Sequence, residues 1–156
     1  NLLLARDDLD VSLKDRYGTT GFHCACGTGD SDIVTELLAR NDVDVTFTDH
    51  YNRTGFHYAC MKGHTEIVKQ LLDRDDVDVN LPDKEGLTAF NLACAQLYYS
   101  SPSEVAEIGG LICKRRSTHP SELMNSAPTY VDPKLMEEIQ AIISSLRGKQ
   151  QKSARK

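Results

Sequence analysis

The feature that most constrains this chain is a segment that returns at an interval of 34 residues. It begins Asp15-Arg16-Tyr17-Gly18, comes back as Asp49-His50-Tyr51-Asn52, and comes back again as Asp83-Lys84-Glu85-Gly86. A fixed period of this length is typical of stacked supersecondary units, none of which can bury its apolar face alone. The chain is therefore predicted to be a solenoid, whose function depends on a surface built across units rather than on one catalytic pocket.

Each unit contains apolar residues at helical spacing. In the first unit a break at Gly29-Asp30 divides them into two sets. They are Phe22, Ala25 and Cys26 before the break, and Ile33, Val34, Leu37 and Leu38 after it. The spacing predicts two short amphipathic helices joined by a turn. A threonine precedes the first helix of every unit and is predicted to be its N-cap. These threonines are Thr20, Thr54 and Thr88.

One position near the start of each unit is held by Gly18, Asn52 and Gly86 in turn. Glycine and asparagine are the residues that best tolerate a left-handed backbone. This position is therefore predicted to be the tip of a turn with positive φ.

The middle unit contains Thr54-Gly55-Phe56-His57, Ala59-Cys60, Gly63-His64, Leu71-Leu72 and Asp78-Val79-Asn80. In this order and spacing the residues resemble the ankyrin-repeat family, whose usual signature opens with Thr-Pro-Leu-His. The resemblance implies an all-α solenoid of helix-turn-helix units with short β-hairpin tips, about three repeats plus a C-terminal helix. It covers residues 1–115, as a half-repeat at 1–14 and repeats that start at 15, 49 and 83.

The chain departs from the family signature directly after each capping threonine. Gly21, Gly55 and Ala89 stand where family members usually carry proline. Proline pre-sets the backbone at the first helical position, whereas glycine adds entropy to the unfolded state. We therefore expect a less rigid stack than an idealised one.

The period breaks after Cys94, where 97–103 lengthen the loop before an apolar helical face at Val105, Ile108, Leu111 and Ile112. Residues 116–132 are predicted to be an irregular connection. A helix over 133–147 is then predicted, because Asp132-Pro133 provides an N-cap and a first-turn proline. It carries an apolar stripe, which either closes the carboxyl end of the solenoid or binds a partner. The stripe consists of Leu135, Ile139, Ile142 and Leu146.

Charge and composition limit the possible functions. The formal net charge of the 156 residues is -5, although the last ten residues are strongly basic. The segment 148–156 is predicted to be a disordered tail. Nucleic-acid binding is not expected, since no aromatic residues lie among these charges and the acidic body would repel phosphate. No apolar run is long enough to span a membrane. Three of the five cysteines, Cys26, Cys60 and Cys94, lie at the same position of successive repeats and are expected in the core, which favours an intracellular protein, cytoplasmic or nuclear.

Patterns that would indicate catalysis or metal binding are poor. Gly29-Asp30-Ser31 resembles a hydrolase nucleophile block but falls at the turn between two helices. The series Asp76, Asp78, Asn80 copies the start of a calcium loop, yet Leu81 and Leu87 stand where glycine and glutamate are required. His23 and His57 recur at a turn position where a structural hydrogen bond is expected. We predict no enzyme activity, no cofactor and no metal.

A protein-interaction module remains the predicted function, within a larger intracellular protein and monomeric there. The resemblance places its protein or peptide partner in a concave groove, whose anchors would be Tyr17 and Tyr51, each near an arginine. The alternative for these tips is an ordinary solvated surface. An alternative for the whole segment is a regulatory domain attached to an enzyme or channel elsewhere in the parent chain. The predicted contacts are Arg16, Tyr17, Thr19, Thr28, His50, Tyr51, Arg53, Met61, Lys62, Lys84, Glu85 and Gln96.

Two further expectations concern the ends of the repeats. The chain begins with leucines that should lie in a second helix, so we expect more repeats upstream. Asp78-Val79-Asn80 resembles the pattern modified by the asparaginyl hydroxylase that acts on ankyrin repeats in animals. Ser12 and Thr46 occupy the equivalent positions, which leaves Asn80 as the candidate hydroxylation site.

Overall fold

The structure is a computed structural model that describes residues 10–95, 101–116 and 133–153. Seven helices lie within these ranges. They are α1 (Gly21–Thr28), α2 (Ser31–Leu38), α3 (Gly55–Met61), α4 (Thr65–Leu72), α5 (Ala89–Ala95), α6 (Pro102–Arg116) and α7 (Pro133–Ser153).

The first six helices form three helix pairs. The first helices α1, α3 and α5 pack side by side in one layer, and α2, α4 and α6 form a second layer against them. Within the described ranges there is no sheet, and the hairpin tips are tight turns with one antiparallel bridge, between Lys14 and Thr20. The prediction of an all-α repeat solenoid is confirmed.

The predicted turn tips and caps are confirmed. The backbone φ is 78° at Gly18, 61° at Asn52 and 79° at Gly86, all in the left-handed region. Thr20 and Thr54 are the N-caps of α1 and α3. In the third repeat, the backbone N–H and hydroxyl of Thr88 both bond to Asn91 Oδ1, at 2.9 and 3.0 Å.

The core repeats with the sequence. Its largest side chains, Phe22, Phe56 and Phe90, come from the same position of the three first helices. Beside them lie the buried thiols Cys26, Cys60 and Cys94, all of them free. Burial raises the pKa of Cys26 and of Cys94 to about 12, so both stay protonated and apolar in character. The prediction of core cysteines is confirmed.

The missing proline of the second repeat has a steric explanation. A Cβ atom on Gly55 would lie 2.7 Å from Phe22 Cε1 and 2.9 Å from Cys26 Sγ. The ring of Phe22 therefore occupies the space that a side chain on Gly55 would need. Around Gly21, at the same position of α1, a Cβ atom would meet nothing within 4 Å.

Helix α7 packs against α6 and covers the last repeat. Ile139 and Ile143 are fully buried, and a Cβ atom on Gly109 of α6 would lie 2.6 Å from Ile143 Cδ1. Of the predicted stripe, Ile139 lies in the core and Ile142 is partly buried and packs against it, whereas Ile143, which the stripe did not include, is fully buried. The side chains of Leu135 and Leu146 lie outside the described residues.

The helix also extends to Ser153, beyond the predicted end at 147. The predicted disordered tail is therefore helical as far as that residue. A single glycine, Gly148, costs a helix about 1 kcal/mol, and the lysines and glutamines after it are good helix formers. The predicted connection at 116–132 is described only at Arg116, the last residue of α6, and 117–132 lie outside the described residues.

Candidate functional site: the row of repeat tips

Three turns, 15–19, 49–53 and 83–87, form what we call the tip row. Each turn is organised by the aspartate that opens it. Asp49 Oδ1 accepts hydrogen bonds from the backbone N–H groups of Tyr51 and Arg53, at 2.8 and 2.9 Å. Asp15 and Asp83 bond in the same way to the second and fourth residues after them. Side-chain acceptors therefore fix the shape of every tip.

Backbone hydrogen bonds join the tips to one another. The N–H of His50 donates to the carbonyl of Tyr17 at 2.8 Å, and the N–H of Lys84 donates to the carbonyl of Tyr51 at 2.9 Å. The side-chain amide of Asn52 also donates to Pro82 O, at 2.8 Å. The spacing between neighbouring tips is therefore set by the main chain.

An ion pair ties the second tip to the third. The guanidinium of Arg53 donates twice to Asp83 Oδ2, at 3.0 and 2.8 Å, and the side chains are 19% and 1% exposed. Burial acts to raise the pKa of Asp83, but hydrogen bonds from Leu87 N–H and Arg53 outweigh it and hold the pKa below its usual value. Arg53 therefore has a structural role in joining the two tips, and its predicted contact with a partner stays a prediction.

Two tyrosines project from the tip row. Tyr17 is 49% exposed and Tyr51 is 52% exposed. The guanidinium of Arg16 lies 5.0 Å from the ring centroid of Tyr17, and that of Arg53 lies 5.5 Å from the ring centroid of Tyr51. These cation–π contacts restrict the rings while leaving them accessible.

The remaining predicted contacts fall into three groups. Arg16, Thr28, His50, Lys84 and Glu85 are exposed, as are both tyrosines. Thr19, Met61 and Lys62 are half-buried. Gln96 lies outside the described residues. The structure thus brings the tip residues together in one row, with Thr28, Met61 and Lys62 at the ends of the first helices behind it.

Behind the tips, His23 and His57 connect successive repeats. His23 Nε2 lies 3.0 Å from Phe47 O, and His57 Nε2 lies 2.9 Å from Leu81 O. The carbonyls can only accept, so Nε2 carries the proton and Nδ1 accepts the backbone N–H of the capping threonine, at 3.1 and 3.2 Å. The geometry requires neutral imidazoles. Burial lowers the pKa of both histidines, which agrees with that state.

Sequence reasoning did not single out the opening aspartates or the polar partner of Tyr58. The Tyr58 hydroxyl donates to Asp49 Oδ2 at 2.6 Å, and its ring packs edge-on against His23 with centroids 5.9 Å apart. Tyr58 therefore supports the second tip from behind. The sequence does show an aspartate at every 34th residue, the same period as that of the core residues. A polar residue that recurs in this way is typical of a structural role.

Among the described residues, no group of three or more histidines, cysteines or acidic residues could hold a metal ion. Within this part of the chain no helix is both long and apolar enough to cross a membrane.

Helix pairs stacked in two layers, with hydrogen-bonded turns along one edge, define a helical repeat solenoid. A family model described as ankyrin repeats (3 copies) matches residues 1–81 and 22–108. The chain belongs to the ankyrin-repeat family. Ankyrin repeats are generally protein-interaction modules, and their fold is typically non-catalytic.

Among solved structures, the chain is similar to an ankyrin repeat domain from Acinetobacter baumannii. The TM-score is 0.70, with 92% of this chain and 72% of that chain covered, at 21% sequence identity. At this identity the likeness shows the fold alone. No curated protein matches the chain.

Proposed function

We propose that this chain binds a protein or peptide through the tip row and the groove beside it. The observation that carries the proposal is the pair of exposed tyrosines, Tyr17 and Tyr51, at the same position of two tips joined by their backbones. Exposed apolar patches on soluble proteins often mark interaction sites. Tyrosine and arginine are also the residue types enriched at binding hot spots.

The energetic argument rests on preorganisation. Each ring still exposes about half of its surface, so covering both would contribute on the order of 4 kcal/mol of apolar burial before the costs of association. The guanidinium groups of Arg16 and Arg53 already contact the two rings, so less conformational entropy is lost on binding. We expect a net contribution of about 2 kcal/mol or more.

The test uses the chain as bait for cell proteins and then measures the affinity of the captured partner by calorimetry. The double variant Tyr17→Ala and Tyr51→Ala should bind about 30-fold more weakly or worse, which corresponds to 2 kcal/mol. Glu66→Ala is the control, because this exposed residue lies on α4, away from the tips. An affinity that is unchanged in the double variant would place the binding site elsewhere on the molecule.

The wider setting of this function is also a proposal. We propose that the segment works inside a larger intracellular protein, in the cytoplasm or nucleus, and as a monomer there. The buried free thiols support a reducing compartment. The alternative, a regulatory domain for an attached enzyme or channel, would use the same tip row.

Hydroxylation of Asn80 is a separate proposal, supported by the position of this residue. Asn80 is exposed in the turn after α4, and its backbone N–H donates to Asp78 Oδ1 at 2.9 Å. The turn must open for the backbone to enter an enzyme site. Mass spectrometry after incubation with the hydroxylase, iron and 2-oxoglutarate should show one added oxygen on the Asn80 peptide. Asn52, which donates to Pro82 O, is the internal control and should stay unmodified.

A further inference from the structure

A cavity of about 240 Å³ opens between the loops that precede the second and third tips. It is smaller than a typical drug-sized pocket and fits a single long side chain better than a whole ligand. Four of its lining residues come from the first loop and its cap and four from the second. They are Val45, Thr46, Thr48 and Thr54, and Asp76, Val77, Asp78 and Leu81.

The chain contains the same arrangement one repeat earlier. Moving each lining residue back by 34 positions places Lys14 where Thr48 stands and Phe47 where Leu81 stands. In that earlier interface the ammonium of Lys14 lies 4.5 Å from the centroid of the Phe47 ring. A lysine from the chain itself thus lies where the later interface has the short side chain of Thr48 facing a cavity.

The lining of the cavity suits a lysine side chain. Val45, Val77 and Leu81 provide apolar surface for the methylene stem. Asp76 is already paired with Arg74 at 2.7 Å, whereas Asp78 is exposed and accepts the N–H of Asn80. A carboxylate that still has lone pairs to offer is a suitable partner for an ammonium group.

We propose that this cavity is a binding site for a lysine side chain of a partner protein. The stem would lie against the valines and Leu81, and the ammonium would reach the carboxylate of Asp78. The site is distinct from the tip row, so it gives the partner a second contact and favours partners that present an exposed lysine. Thr48 is the residue that keeps the site open.

The experiment is an NMR titration of the ¹⁵N-labelled chain with N-acetyl-lysine methylamide. The amides of Thr46, Val77 and Leu81 should shift and saturate, with a dissociation constant on the order of 1 mM for a ligand of this size. N-acetyl-norleucine methylamide, which has the stem without the charge, should bind about tenfold more weakly. Shifts that do not saturate, or equal binding of both probes, would overturn the proposal.

Two variants locate the site. Thr48→Lys should fold, since Lys14 is tolerated at the same position one repeat earlier, and it should abolish the shifts by filling the cavity from within. Asp78→Asn keeps the acceptor for the N–H of Asn80 while removing the charge, and it should weaken binding about fivefold. If Thr48→Lys does not fold, Asp78→Asn is the test of the proposal. An affinity of Asp78→Asn for N-acetyl-lysine methylamide equal to that of the parent chain would contradict the proposal. Persistent shifts in folded Thr48→Lys contradict it equally.

Discussion

Because Phe22 contacts Gly55, alanine substitutions at the two equivalent glycines, Gly21 and Gly55, should have opposite effects on stability. Gly21 and Gly55 both begin a first helix directly after a capping threonine. A methyl group on Gly21 would meet no atom within 4 Å, whereas one on Gly55 would lie 2.7 Å from Phe22 Cε1. We predict that Gly21→Ala stabilises the fold and that Gly55→Ala destabilises it.

The magnitudes follow from two contributions. Alanine reduces the entropy of the unfolded chain at either position, which stabilises by about 0.4 to 1 kcal/mol where the backbone allows it. At Gly55 the added methyl must also displace the ring of Phe22 and the sulfur of Cys26, and overpacking of this kind costs about 1 to 3 kcal/mol. The entropic contributions cancel in the comparison, so the two variants should differ by about 1 to 3 kcal/mol.

Urea denaturation of both variants and of the parent chain measures this difference. Phe22→Leu in the Gly55→Ala background provides a further test, because leucine lacks the Cε1 atom of the ring. The double-mutant cycle should show a favourable coupling of about 1 kcal/mol. Equal stabilisation by both alanines, or the absence of coupling, would refute the steric explanation.

Three other predictions concern the joints of the stack. The pKa of His57 is lower in the folded than in the unfolded chain, so the contribution of this residue to the free energy of unfolding should be fully present above about pH 6.5. It should decrease on acidification, by up to about 1.4 kcal/mol per pH unit. Urea melts of His57→Asn, which keeps a cap like that of the third repeat, should show a weaker pH dependence. Asp83→Ala leaves Arg53 half-buried without its partner and the N–H groups of Glu85 and Leu87 without their acceptor, and it should cost about 3 kcal/mol in the same melts. Asp75→Ala removes a fully exposed partner and should change stability by less than about 1 kcal/mol; similar losses in both would contradict the structural role of Asp83 and its ion pair. Gly109→Ala should lower the melting temperature measured by circular dichroism, since its methyl would collide with α7; an unchanged temperature would mean that α7 is not held against α6.

Much of the fold could be predicted because its determinants repeat along the sequence. The threonine caps and the left-handed tips depend on local backbone geometry, which a single residue such as Asn52 reveals. The packing of Phe22 against Gly55 could not be predicted, since it joins residues of different repeats. The periodic pattern also did not show that Ile143 of α7 is buried more deeply than Ile142, since this depends on the contact with α6.

The candidate site was predictable in its location and less so in its chemistry. The exposure of Tyr17 and Tyr51 agrees with their place at turn tips, which the sequence shows. Arginine at position 53 has the same residue type whether it contacts a partner or an internal acid. Only the structure shows that it bonds to Asp83.

The backbone bonds between tips have a consequence for how such a surface can evolve. The N–H of His50 and the carbonyl of Tyr17 belong to the main chain, and the same holds for the joint between Lys84 and Tyr51. The outward side chains at these four positions can therefore change without loss of the bonds that align the tips. Mutation can explore new partners there at little risk to folding, and a protein engineer could randomise the same four positions to obtain new specificities.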